Sequence, residues 1–294
     1  MHGCDSGSAF RVRLLPIRTE ERPCDCAESL MKKVCIRFYA QLNDFLPTEM
    51  RTQTIAYNID FIGSVKDTIE AIGVPHTEVD FILVNSQPVD FTYRLQDSDR
   101  VSVFPRFRSI DIRPLRHLRP AELGEKRFVA DGHLGRLAAY LRMLGFDTLY
   151  RSSYHDQEVA RLCSSENRIL LTRDRGLLKR NEVRHAYYPR ATKPAQQLAE
   201  VIREFDLVPA IAPFGRCMHC NALLLETEKK SIRHRLLPQT AKYFEEFYAC
   251  PDCQRVYWKG SHYRRMKRFI ESLVPSASGS PFWAGDADLE RDPV

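Results

Sequence analysis

The sequence has no apolar run approaching the roughly 18 residues that a membrane-spanning helix needs. Its first residues, "MHGCDSGSAFRVRLLPIRTEERPCDC", include no long apolar stretch of the kind a secretory signal carries, so export is not expected. Internal repeats and long low-complexity segments are missing as well, which excludes solenoid and array architectures. Cysteine is not scarce, but its count of nine is odd. Four of the nine form two Cys-x-x-Cys pairs near the C-terminus, a pattern that favours metal over disulfides and places the chain in the reducing cytoplasm.

What remains is an ordinary soluble composition, 44% hydrophobic and 28% charged over 294 residues, enough for two or three domains. The net charge of +6 is unevenly spread. Residues 34–105 hold 5 Lys/Arg against 10 Asp/Glu, residues 126–209 hold 15 against 10, and residues 213–274 hold 12 against 6. An acidic block followed by two basic ones implies different partners for the two regions, and the basic part suits a polyanion.

The periodicities divide the chain further. Residues 1–33 read as a loose leader. From Val34 the sequence runs strand ("VCIRFYAQL", with Val34, Ile36 and Phe38 on one face), strand ("RTQTIAYNI"), helix ("SVKDTIEAIGV"), strand ("FILVNSQPV") and strand ("RVSVFPRF"). Ser64 and Asp67 form a near capping box and Gly73 closes the helix. This order within 34–107 is that of an α+β β-grasp fold and resembles the ubiquitin-like sulfur carriers. Those carriers end in Gly-Gly, whereas this segment runs into "FPRFRSIDIRPL", so a docking or scaffold role with a protein partner is expected instead. Residues 108–125 read as a linker.

From "KRFVAD" strands alternate with helices through residue 209, the signature of a parallel α/β sheet. In such sheets ligands bind beyond the carboxyl ends of the strands. Asp131 follows the strand "RFVA", Asp174 follows "RILLTR", and Asp156 opens the helix preceding the "ILLT" strand, so all three are expected at one edge. Each alone is also a good helix cap. Together, converging carboxylates need a counter-charge, which Mg²⁺ or Mn²⁺ supplies while activating water for in-line attack on phosphate. Arg136, Arg173, Arg175 and Lys179 lie near these acids in sequence and are the candidate phosphate contacts. Cys163 falls inside an apolar helical pattern and reads as a buried thiol, and Leu134, Leu137, Leu141 and Leu144 have the spacing of a helix face against the sheet.

The last block, 210–274, holds Cys217-x-x-Cys220 and Cys250-x-x-Cys253, separated by 29 residues. Two such knuckles supply the four thiolates of a closed structural zinc site. The gap contains "LETEKKSIRHRLLPQTAKYFEEF", read as an insertion between the knuckles. Basic residues here alternate with Tyr243, Tyr248, Tyr257, Trp258 and Tyr263, which would serve single-stranded RNA or a small core, with Trp258 assigned to the core. The final stretch "VYWKGSHYRRMKRFIESL" ends in a basic helix opened by Ser261, and 275–294 reads as a disordered tail.

Three stretches, "RFVADGHLGRLAAYLRMLGFDTLY", "HDQEVARLCSSENRILLTRDRGLLKR" and "VYWKGSHYRRM", resemble the Mut-seven C-terminal RNase domain family, a PIN-like fold with a zinc ribbon, and 34–107 resembles the ubiquitin-like module that accompanies it. The resemblance covers about residues 34–270 and implies a metal-dependent ribonuclease with Asp131, Asp156 and Asp174 as its acids. Typical PIN nucleases carry a further acid on an intervening helix. Residues 133–146 contain no Asp or Glu, and Asp147 and Glu158 are the acids that would stand in. Asp-Gly-His also stands where the family more often has Asp-Ala-Asn. The alternative is a non-catalytic RNA- or ribosome-binding adaptor whose acids only cap helices.

Overall fold

A computed structural model describes residues 32–59, 63–106 and 124–273. The expected tail, and most of the expected leader and linker, lie outside the described residues; Lys32 and Lys33, placed in the leader, open the first strand. The chain divides into two compact units, Met1–Glu122 with Leu178–Arg184, and Leu123–Leu177 with His185–Val294.

In the first unit, β1 (Lys32–Phe38), β2 (Thr54–Ile59), α1 (Val65–Ile72), β3 (Val79–Val84), β4 (Gln87–Val89) and β5 (Arg100–Pro105) build a sheet of order β2-β1-β5-β3-β4. Only β1 and β5 run parallel; the other neighbours are antiparallel. This is the β-grasp arrangement. Val34, Ile36 and Phe38 are buried as their alternation requires. The capping box is formed: Asp67 N–H donates to Ser64 Oγ at 3.3 Å and Ser64 N–H donates to Asp67 Oδ2 at 2.8 Å. "FILVNSQPV" is not one strand but a hairpin, because Asn85 and Ser86 both take left-handed conformations (φ 51° and 66°) and reverse the chain between β3 and β4.

The second unit begins with β6 (Phe128–Ala130), α2 (Gly135–Met143), β7 (Thr148–Tyr150), α3 (Asp156–Ser165), β8 (Ile169–Leu171), α4 (Arg175–Leu178, its last residue grouping with the first unit), β9 (Ala186–Tyr187) and α5 (Pro194–Glu204). The four strands are parallel, in the order β7-β6-β8-β9. The chain leaves β6 toward β7 on one side and returns to β8 on the other, so a topological switch point lies between β6 and β8. Leu134, Leu137, Leu141 and Leu144 are all buried in the core against Phe128, Ile169 and Leu198. Burial pushes the Cys163 thiol up to about 12, leaving it an inert core group.

The cysteine-rich part adds β10 (Leu225–Thr227), α6 (Lys229–Ile232), α7 (Pro238–Tyr243), β11 (Phe247–Ala249), β12 (Val256–Trp258) and α8 (Ser261–Leu273). β10, β11 and β12 form an antiparallel ribbon, and the two short helices occupy the expected insertion. Its residues are tied to the parallel sheet's core. Ile270 and Leu273 of α8 are buried in the same cluster as Leu137 and Leu141, and Ala212 N–H donates to Leu144 O at 3.0 Å. Gly145 lies where they meet with φ 97°; a Cβ there would stand 2.2 Å from Ala212 O, so only glycine fits. Trp258 corrects the sequence expectation: it is 37% exposed. Strands of three residues enclose little volume, and the buried Phe247 and the cysteine cluster fill it. Among the described residues, no helix is long and apolar enough to cross a membrane.

Candidate active edge and metal centre

The parallel register sets Tyr150, Ala130, Leu171 and Tyr187 side by side. The residues after them form the carboxyl edge. Asp131 follows β6, and its N–H donates to Leu171 O at 3.0 Å. Its carboxylate is half-buried: Oδ1 accepts from Gly132 N–H at 2.5 Å and Oδ2 from the Thr172 hydroxyl at 2.8 Å. The same hydroxyl oxygen accepts the Asp174 N–H at 2.9 Å. Thr172, fully buried, therefore links the two strand-end acids across the switch point. Asp174 is exposed, and its Oδ1 accepts from Gly176 N–H (2.6 Å) and Leu177 N–H (3.1 Å), which caps α4. Asp156 is exposed in the first turn of α3, after β7. Sequence reasoning gives Thr172 no role. Its one signal is a hydroxyl residue at the end of "ILLT", and both of its bonds depend on the folded chain.

Replacing Thr172 by Val keeps its shape and removes the hydroxyl. It strands a half-buried carboxylate oxygen and a backbone donor, so a stability loss of about 1–3 kcal/mol is expected in urea unfolding, largely restored by Thr172→Ser. A Val variant as stable as wild type would show that the hydroxyl does not hold these acids.

The acid missing from α2 is not supplied by Asp147. That residue precedes β7, at the amino edge of the sheet, where its carbonyl accepts from Phe128 N–H at 2.8 Å. Its carboxylate is taken by Arg168, bidentate at 2.8 and 3.2 Å, and by Asn221 Nδ2 at 2.8 Å. Burial alone would raise its pKa, but the bonds from Arg168 and Asn221 outweigh it and hold the carboxyl below the usual range. Glu158 is half-buried in the first turn of α3, the same turn as Asp156.

Cations and rings gather beyond β8 and β9. Arg173 lies over the Tyr188 ring at 5.9 Å, and Arg190 over Tyr187 and Tyr188 at 5.7 and 6.0 Å. Glu200 fixes this loop by accepting from Arg190 and Ala191 N–H at 2.8 and 2.9 Å. Arg136 and Arg175 are exposed in the first turns of α2 and α4. Lys179 groups with the first unit, and its Nζ donates to Glu70 O at 2.6 Å.

The second centre is the cysteine cluster. The Sγ atoms of Cys217, Cys220, Cys250 and Cys253 all lie within 4.8 Å of one another. Cys217–Cys253 and Cys220–Cys250 are 3.5 and 3.2 Å apart. A tetrahedral zinc with Zn–S of about 2.3 Å separates its sulfurs by roughly 3.8 Å, whereas a disulfide needs about 2.05 Å. The cluster fits zinc and not a pair of disulfides. Both knuckles close the same way: Asn221 N–H donates to Cys217 O at 2.9 Å and Gln254 N–H to Cys250 O at 3.0 Å, with Asn221 and Gln254 left-handed. Arg142, almost wholly buried, donates to Thr148 O at 2.8 Å, His219 O at 2.6 Å and Met218 O at 3.2 Å, and Asn221 Oδ1 accepts from Thr148 N–H at 2.9 Å. Among the described residues, the three aspartates are not drawn into a metal-sized group of this kind.

Two family models match in consecutive order. The Mut7-C ubiquitin model covers residues 31–111, and the Mut7-C RNAse domain model covers residues 126–270. Residues 126–270 belong to the Mut7-C RNAse domain family. The Mut7-C match spans the parallel sheet and the cysteine ribbon together, in keeping with the ties through Arg142 and Asn221. It supports a nuclease-like function and RNA as its ligand. No curated protein matches. The solution structure of the Haloferax volcanii HVO 2177 protein is similar at 20% identity, covering 30% of this chain and 94% of that one, with a TM-score of 0.22.

Proposed function

We propose that this chain is a metal-dependent ribonuclease, working in the crevice between the ends of β6 and β8. The observation that carries the reading is the Thr172 hydroxyl, which joins the Asp131 carboxylate to the Asp174 backbone at the switch point of an RNAse-family sheet. Asp131, Asp174 and Asp156 would hold Mg²⁺ or Mn²⁺. The fit rests on the donor set: hard carboxylate oxygens, each of Asp131's two accepting one neutral hydrogen bond that leaves lone pairs over. When bound, such an ion neutralises charge growing on the phosphodiester and lowers the pKa of attacking water.

The chain's own residues orient and neutralise. Thr172 and Gly132 fix the Asp131 carboxylate, so it needs no reordering when substrate arrives. Arg136, Arg173 and Arg175 would take flanking phosphates, with Arg173 placed over the Tyr188 ring. The four cysteines would hold a structural zinc in a reducing, cytoplasmic setting. Single-stranded RNA is the substrate form that an open edge of arginines and rings accepts. The β-grasp unit, acidic and without a Gly-Gly tail, would bind a protein partner rather than carry an activated carboxylate.

The test is cleavage of single-stranded RNA by zinc-loaded protein. Activity with Mn²⁺ that disappears when EDTA is added in excess over Mn²⁺ and returns on adding Mn²⁺ back is expected. RNA binding without cleavage under any divalent ion would instead favour the adaptor, since Asp131 and Asp174 each cap a helical turn.

A further inference from the structure

Of the cavities that open on the second unit outside the acid edge, two adjoin each other. The first, about 450 Å³, is lined by Gly135, Tyr150, Met218, His219, Arg255 and Tyr257. The second, about 270 Å³, lies among Phe214, Tyr248, Trp258 and Tyr263. They share Met218 and Tyr257 as lining and are therefore neighbours along the ribbon. The first also reaches toward Asp131. Tyr150 donates its hydroxyl hydrogen bond to the carbonyl of Gly132, the residue after that acid, at 3.1 Å. A Cβ on Gly135 would stand 2.6 Å from the same hydroxyl, so the bare glycine keeps this end of the cavity open.

We propose that these cavities are two successive nucleotide subsites for single-stranded RNA, running from the Asp131 end of the sheet onto the ribbon; the proposal rests on the ribonuclease reading. The chemistry of the walls selects the occupant. Arg142 is spent on three backbone carbonyls, so Arg255, exposed at the rim, is the cation left for a phosphate. Trp258, 37% exposed on a ribbon strand, and Tyr263, tilted against Phe214 at 4.5 Å, offer flat apolar faces of the kind on which unpaired bases stack. A duplex keeps its bases stacked on one another and cannot use such faces. Trp258 exposure thereby acquires a purpose that a structural ribbon strand does not give it.

The experiment measures anisotropy of a 5′-fluorescein-labelled oligouridylate on the full zinc-loaded chain carrying Asp131→Asn, which keeps the probe uncut. Adding Trp258→Ala should weaken binding about fivefold or more, the loss of one base–ring stack. Adding Arg255→Ala should lower the slope of log affinity against log salt by about one, the loss of one phosphate contact. A 4-thiouridine probe should crosslink within 135–150 or 214–263. Unchanged affinity and slope in both variants, with native circular dichroism, would overturn the track, as would crosslinks confined to 32–106. Failure of the enzyme reading is separable: wild-type protein that binds in this way but cuts no RNA keeps the track and removes the nuclease.

Discussion

Stripping zinc from the full chain, or replacing Cys217 by Ser, is expected to unfold the second unit and not merely loosen its ribbon. Structural zinc in small cysteine sites contributes about 10–16 kcal/mol of apparent binding free energy, comparable to the whole stability of a domain, about 5–15 kcal/mol. Two features pass that loss to the sheet. Arg142 is buried on α2, and two of its carbonyl acceptors, those of Met218 and His219, lie inside the first knuckle. Asn221, next to Cys220, accepts from the first residue of β7 and donates to Asp147, which holds the buried Arg168. When the knuckle opens, a buried guanidinium loses acceptors and a buried ion pair loses a neighbour, each a costly defect. Circular dichroism with a zinc-selective chelator should show a helix-losing transition at a temperature where zinc-loaded protein is folded. Coincident melting curves for chelated and loaded protein would contradict this.

The route from sequence to fold is short where the signal is local. Ser64 and Asp67 announce their capping box, and Leu134, Leu137, Leu141 and Leu144, in and flanking α2, their buried face. Asn85-Ser86 hides a hairpin because neither residue is the glycine that normally marks such a turn. Trp258 escapes the sequence reading because hydrophobicity predicts burial only where there is an interior to fill, and short ribbon strands around four cysteines leave little. The strand-end positions of Asp131 and Asp174 are legible from "FVAD" and "LLTRD". The tie between them is not, because it belongs to a threonine that touches residues 41 positions away on one side and two on the other. Asp147 is a plausible stand-in by sequence distance alone; the direction of β7 puts it at the opposite edge.

Asp131→Asn and Asp174→Asn carry the other large expected effect. Asparagine keeps the size, so both variants should fold: at position 174 the amide oxygen can still accept from Gly176 and Leu177, and at position 131 it can accept from Thr172 at the cost of the bond from Gly132. What disappears is the negative charge that a hard cation requires. Cleavage of single-stranded RNA should fall at least about 100-fold in each, roughly 2.7 kcal/mol of transition-state stabilisation. The two losses should combine less than additively, because Thr172 makes the acids one unit. The most direct measurement is Mn²⁺ electron paramagnetic resonance on zinc-loaded protein. The account predicts that wild type quenches the free Mn²⁺ signal and that Asp131→Asn does not. Equal quenching by the two proteins, or none by either, would contradict it.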